Sequence, residues 1–303
     1  MNLHSLGRRA GRALRGAGGT ARFLAHLHLT RATPIIVYQM GKVGSTSVLA
    51  SLLQNGFDCA CGMHRMSPEN IQAVRQFRLA RHREVSDERI GQWVYSHIVK
   101  KRKPAKVITL VREPISRNMS AFFQNFQVFM GTEWLDSRAT SEDLLSSFIA
   151  EYSHSVPLTW FDVEMRQTVG IDVYEHPFPK EIGYHTIRQD CFELLILKLE
   201  LDDVIKEEAI AKFLDVDEFH LVQANVGRQK DYAKGYREFL QTATLPQSYV
   251  EILCESRYMN HFYSEAEIEA VRLRWRDRVH SRELPPAVRE QLLRASAREV
   301  REP

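Results

Sequence analysis

The stretch that most constrains this chain is Ile35-Ile36-Val37-Tyr38, followed by Gln39-Met40-Gly41-Lys42-Val43-Gly44-Ser45-Thr46-Ser47. A short β-branched run after Pro34 reads as a buried parallel strand. Two glycines then bracket one lysine, and Ser-Thr-Ser opens an apolar-periodic segment that stops at Asn55-Gly56. The order is strand, glycine loop, helix start. It presents several backbone N–H groups, a positive helix end and one ammonium to a phosphate-sized oxyanion. An ordinary βα turn without a ligand is the bland alternative. A Walker loop is excluded by spacing: it has four residues between its glycines and a lysine directly after the second, whereas Lys42 precedes Gly44.

A chain of 303 residues suits one large α/β domain or two small ones. No apolar run reaches the length of a membrane span, and no signal-peptide pattern opens the sequence. The net charge of +3 conceals an asymmetry. Arg8, Arg9, Arg12, Arg15, Arg22, Arg31 and Lys42 all precede the first acid, Asp58. Residues 1–33 therefore read as a basic, flexible arm, with peripheral contact to an anionic membrane surface as its second reading. Cys59, Cys61, Cys191 and Cys254 make neither a disulfide framework nor a zinc pattern, so idle thiols and no metal are expected.

Strands are predicted at 57–63, 93–99, 107–111 and 193–200, alternating with helices. One helix begins at Ser67-Pro68, with serine as cap and proline at the first position. Others are predicted over 141–149, 158–169, 204–213, 231–241 and 266–279, and Pro285-Pro286 separates a last short one. The fold class is α/β: a P-loop-like, three-layer domain with a central, mostly parallel sheet flanked by helices. Residues 34–275 form this domain and 276–303 a helical tail. Ligands of such sheets gather at the carboxyl ends of strands. The Gly41–Thr46 loop, His64, His97 and Arg112 all fall there in this assignment.

A second motif, Val111-Arg112-Glu113-Pro114-Ile115-Ser116-Arg117-Asn118-Met119-Ser120, leaves a strand and enters a helix at Pro114. Arg112 at the strand exit can grip a phosphate bidentately. Ser120 lies on the same helix face as Ser116 and can address the same anion. A P-loop NTPase would place a magnesium-binding aspartate at such a strand end.

The Lys-x-Gly-(Ser/Thr)-(Ser/Thr) core resembles the 5′-phosphosulfate loop of sulfotransferases. The Arg-(Asp/Glu)-Pro-x-x-Arg-x-x-Ser run resembles the 3′-phosphate signature of those that use 3′-phosphoadenosine 5′-phosphosulfate (PAPS). Residues 194–200 resemble that family's later core strand, which ends in an acid. Residues 225–230, with Tyr232 and Tyr236, resemble its late loop over the 3′-phosphate. The 172–184 region and Asn260-His261-Phe262-Tyr263-Ser264 resemble bacterial capsular-polysaccharide sulfotransferase-like proteins.

The resemblance implies sulfuryl transfer from PAPS to a hydroxyl of a polysaccharide or oligosaccharide such as a capsule. Gly41, Lys42, Val43, Gly44, Ser45, Thr46 and Ser47 would hold the 5′ end. Arg112, Ser120, Arg228 and Lys230 would hold the 3′-phosphate. Lys42 and His97 would be catalytic, with His64 and then Glu164 as other candidates for the base. The implied partner is a glycan rather than nucleic acid, and the expected compartment is the cytoplasm, peripheral to the inner membrane. A nucleotide-dependent kinase or NTPase with a variant loop, and a non-catalytic glycan-binding protein, are the competing readings.

Overall fold

Strand β1 (Ile35–Tyr38) is buried at every position, as a strand covered on both faces must be. It pairs in parallel with β2 (Ala60–Met63) on one side and with β3 (Ala105–Val111) on the other. The computed structural model describes residues 21–81, 88–132, 134, 137–222 and 232–297. Strand β4 (Tyr184–Gln189) joins by a hairpin to β5 (Phe192–Lys198), and β5 lies parallel to β3. The sheet order is β2-β1-β3-β5-β4, parallel except at β4. Two short strands, β6 (Leu245–Pro246) and β7 (Val279–His280), pair separately.

The helices flanking the sheet follow in chain order. The first four are α1 (Ser45–Gln54), α2 (Pro68–Ala80), α3 (Arg89–Val94) and α4 (Pro114–Gln124). Next come α5 (Phe126–Met130), α6 (Ser141–Glu151), α7 (Val156–Trp160) and α8 (Asp203–Leu214). The last five are α9 (Ala233–Thr242), α10 (Gln247–Cys254), α11 (Arg257–Phe262), α12 (Glu265–Trp275) and α13 (Pro286–Ser296). Ser67 caps α2 by accepting from the Asn70 amide, and Thr140 and Ser264 head capping boxes on α6 and α12. Residues 21–30 are helical, and Phe23 within them is 1% exposed, edge-on to Trp93. Gly235 on α9 lets the Trp134 ring approach so closely that a Cβ there would lie 2.0 Å from it.

Two assignments differ from the sequence expectation. Residues 93–99, predicted as a strand, are helical: α3 runs into a π-turn at Tyr95–Val99. Across residues 89–99 the buried positions are Gly91, Val94, Ile98 and Val99, a helical spacing that an apolar run alone does not distinguish from a strand. The strand that completes the sheet is instead β4, where Ile187 is the one buried side chain and the remainder is polar. An edge strand of that kind carries little hydrophobic signal.

The chain leaves β1 toward β2 on one side and leaves β3 toward β5 on the other. The direction of winding therefore reverses between β1 and β3, and ligands of open α/β sheets gather outside the carboxyl ends of strands at such a switch point.

Candidate functional site

The loop after β1 is built tightly. Gln39 uses its side-chain oxygen to accept from the Leu110 amide at 3.1 Å, tying the exit of β1 to β3. Lys42 holds a left-handed φ of 77° and Gly44 one of 90°. A Cβ on Gly44 would sit 2.8 Å from Leu199 Cδ1, so the position demands glycine for space as well as for backbone angle. Val43 is fully buried beneath the loop. Gly44 is also the N-cap of α1, and no side chain among the described residues caps that helix start. The hydroxyls of Ser45 and Thr46 take no partner among the described residues, and Thr46 is exposed.

The second motif meets the first. Arg112 Nη1 donates to the Lys42 carbonyl at 3.1 Å, and Arg117 Nε donates to the Gly41 carbonyl at 3.0 Å. Arg112 is half-buried, and its remaining N–H groups have no partner among the described residues. Its backbone is held by one side chain: the Tyr258 hydroxyl accepts from the Arg112 amide and donates to the Arg112 carbonyl, both at 3.0 Å. Pro114 stands at the first turn of α4, and the Glu113 carboxylate caps that helix by accepting from the Ile115 and Ser116 amides. The Ser116 hydroxyl is also bonded to Glu113, whereas Ser120, 9% exposed on the same helix, places its hydroxyl on no described partner.

Strand β5 ends beside β3, and Glu200 beyond it accepts from the Glu113 amide at 3.0 Å and from the Tyr263 hydroxyl at 3.2 Å. Glu200 is open to solvent on one side and crowded by protein on the others. That crowding raises its pKa; the Glu113 amide and the charge of Arg112 oppose the shift, and the Glu113 carboxylate adds to it.

His64 follows β2 and lies on the other flank of the loop. Its Nδ1 is 3.0 Å from the Gln39 carbonyl, which can only accept, so Nδ1 carries the proton and Nε2 the lone pair. Nε2 lies 3.9 Å from where a Gly41 Cβ would project. The ring is solvent-accessible, yet the protein around it lowers its pKa below the usual imidazole value. The Gln39 carbonyl opposes that shift, and the charges of Arg65 and Arg117 favour it.

The other two candidate bases occupy different settings. His97 lies on the π-turn after α3, stacked on Trp93 at 4.7 Å, with Nδ1 3.0 Å from the Trp93 carbonyl. Helix α3 begins against Arg65, at the carboxyl edge, and its chain returns to the amino end of β3 at Ala105. His97 therefore lies on the helical return between those two edges and not at a strand end. Its placement beside Arg112 at a strand end is corrected with the strand itself. Glu164 is fully buried, and its oxygens accept from the Met66 amide at 2.9 Å, the Ser67 amide at 3.0 Å, the Tyr38 hydroxyl and the Asn70 amide group. Those donors make it a pin between β1, the turn after His64 and the start of α2. Arg228 and Lys230 lie outside the described residues.

The structure therefore brings together the Gly41–Ser47 loop, Arg112 and His64. Across β2-β1-β3-β5 the strand ends carry His64, the loop, Arg112 and Glu200 in that order. With neighbouring strands about 4.8 Å apart, this edge spans roughly 14 Å. Arg117 and Tyr258 were not singled out as site residues in the sequence. The signal for Arg117 lay in its place three residues after Pro114, on the turn of α4 nearest the loop. Nothing local marks Tyr258.

One family model matches residues 139–264, under half of the chain; its description is "NKWYS: Putative capsular polysaccharide synthesis protein". The matched segment begins after the Gly41–Ser47 loop and the Arg112–Ser120 run and ends at Asn260-His261-Phe262-Tyr263-Ser264, which shares the first, fourth and fifth letters of that name. Tyr263 bonds Glu200, and Ser264 caps α12, whose Glu267 carboxylate accepts from the Ser264 amide and, through both oxygens, from the buried Lys198 at the end of β5. The matched region thus closes the carboxyl edge on which the loop and Arg112 lie. No curated protein and no solved structure shows a match to the chain.

Proposed function

We propose that the protein is a sulfotransferase that moves the sulfuryl group of PAPS to a hydroxyl of a capsular or other cell-surface glycan. The observation that carries this reading is the contact between Arg112 and the Lys42 carbonyl. The 3′- and 5′-phosphates of PAPS hang from one ribose, so cationic sites for them must adjoin, and these two do. The loop amides, the start of α1 and Lys42 face the 5′-phosphosulfate. The free edge of Arg112 and the Ser120 hydroxyl take the 3′-phosphate. The capsule-synthesis family match supports a glycan acceptor.

In the reaction the acceptor oxygen forms a bond to sulfur as the bond from sulfur to the bridging phosphate oxygen breaks. The electron pair stays with 3′,5′-ADP, and Lys42 balances the charge gathering on that oxygen. The acceptor proton passes to Nε2 of His64, which its bond to Gln39 orients and its lowered pKa keeps neutral at pH 7. His64 replaces His97 as the preferred base because it borders the loop.

Calorimetric titration tests the donor. The expected result is binding of 3′,5′-ADP without magnesium and weaker binding of ATP–magnesium; the reverse order favours the kinase reading. The base is tested by the pH profile of kcat/KM. Transfer should be level above neutrality and fall as acid protonates His64, with the midpoint below the ordinary imidazole value of about 6.5. His64→Asn should lower kcat by about 10²–10⁴ and abolish that acid limb. A profile unchanged by the substitution excludes His64.

A further inference from the structure

Arg117 is a buried cation that no carboxylate among the described residues answers. It is 5% exposed, and among the described residues its bonds go to neutral groups. Nε donates to the Gly41 carbonyl at 3.0 Å, and Nη1 donates to the Tyr152 hydroxyl at 2.7 Å and to Asn118 Oδ1 at 3.1 Å. Asn118 is itself anchored, donating to the His154 carbonyl at 3.0 Å and to the Tyr249 hydroxyl at 3.3 Å. Guanidinium groups are seldom buried without an ion-pair partner, because desolvation of the charge is left unrecovered. This one is kept in place by a rigid frame whose open end is the glycine loop.

The geometry of the peptide units gives that frame a consequence. In a trans peptide the carbonyl and the following N–H point in opposite directions. With the Gly41 carbonyl turned onto Arg117 and the Lys42 carbonyl onto Arg112, the Lys42 amide faces away from the Arg117 guanidinium and the Val43 amide away from that of Arg112. Lys42 reaches this arrangement through a left-handed φ of 77°, which a non-glycine residue adopts only when its surroundings enforce it.

We propose that Arg117 is the positioning residue of the loop: it fixes the Gly41 peptide so that the loop amides face a 5′-phosphate group, and its unanswered charge lies behind them as a standing attraction for that anion. The proposal rests on the donor reading above. It adds a specific division of labour, in which Arg117 serves the 5′ end alone and makes no contribution at the 3′ end.

Three adenosine ligands separate those ends: 3′,5′-ADP, adenosine 5′-phosphosulfate and 3′-AMP, each titrated calorimetrically into full-length protein. Arg117→Met should weaken 3′,5′-ADP and adenosine 5′-phosphosulfate by about 10- to 100-fold, the worth of a charged hydrogen bond, and leave 3′-AMP within about twofold. Arg117→Lys keeps the charge without the fork and should fall between. Tyr152→Phe, which removes one brace of the guanidinium, should show a smaller loss with the same 5′ selectivity. The last two variants carry the comparison if Arg117→Met does not fold. A general structural defect would weaken all three ligands together, and that result, or no change in any, overturns the proposal. If the wild type binds none of the nucleotides, the donor reading fails separately, and inorganic pyrophosphate decides the loop's role. Its binding by the wild type and loss in the variants support Arg117 as the positioning residue; no binding by the wild type, or equal binding by all, rejects it.

Discussion

Lys42→Ala is expected to lower sulfuryl transfer by about 10²–10³ or more in kcat, the range seen when one preorganised stabiliser of developing charge is removed. The measurement is passage of sulfur-35 from labelled PAPS to a glycan acceptor. Equal incorporation by variant and wild type would remove the lysine from the mechanism. A companion substitution separates chemistry from backbone strain. Lys42 sits at φ 77°, where alanine is strained and glycine is not. Lys42→Gly should therefore be as inactive as Lys42→Ala yet more stable to denaturant by about 1 kcal/mol. Equal stability of the two would mean that the loop relaxes once the side chain is gone.

The largest effect on stability is expected at Glu164. Its carboxylate serves two backbone amides, one hydroxyl and one side-chain amide, all in a fully buried setting. Burial raises the pKa of the partner Tyr38 well above its ordinary value, and the adjacent carboxylate adds to the shift, so the phenol remains a donor. Glu164→Ala strands those donors away from water, each at a cost of about 1–3 kcal/mol. A total loss of at least about 3 kcal/mol should lower the melting temperature by on the order of 10 °C. Glu164→Gln discriminates further, because it presents N–H to groups that already donate. An enzyme inactivated by Glu164→Gln with unchanged melting would restore Glu164 as a candidate base. Reduced melting is the expected result.

What the sequence disclosed follows the range over which each feature acts. The glycine loop and the Arg112 turn are local: strand, turn and helix start lie within about a dozen residues, and their backbone chemistry can be read from residue types. The proline start of α4 and the serine cap of α2 were legible for the same reason. The helix at 89–99 was not, because an apolar run records burial and leaves the backbone form open. That ambiguity set His97 at the end of a strand that the fold does not contain. Strand β4 was missed because it needs little hydrophobic signal at an edge. Glu164 was a candidate base through the family resemblance alone. Its donors come from Tyr38, Met66, Ser67 and Asn70, which only the folded chain assembles. Arg117 failed to stand out for a related reason: what it holds is a backbone carbonyl, which every sequence position possesses.

The bracket that Tyr258 places around Arg112 links residues 146 positions apart. Arg112 is the first residue beyond β3, and its N–H and C=O are satisfied by a distant helix, α11, rather than by a neighbouring strand. A ribosome-bound chain released only as far as Ser120 already contains the glycine loop and the Arg112 turn but lacks the Tyr258 clasp on that turn. On the proposed reading, ligand binding therefore waits for Tyr258 to emerge, and a fragment ending before Arg257 would keep the sheet's inner strands while losing the aim of its arginine.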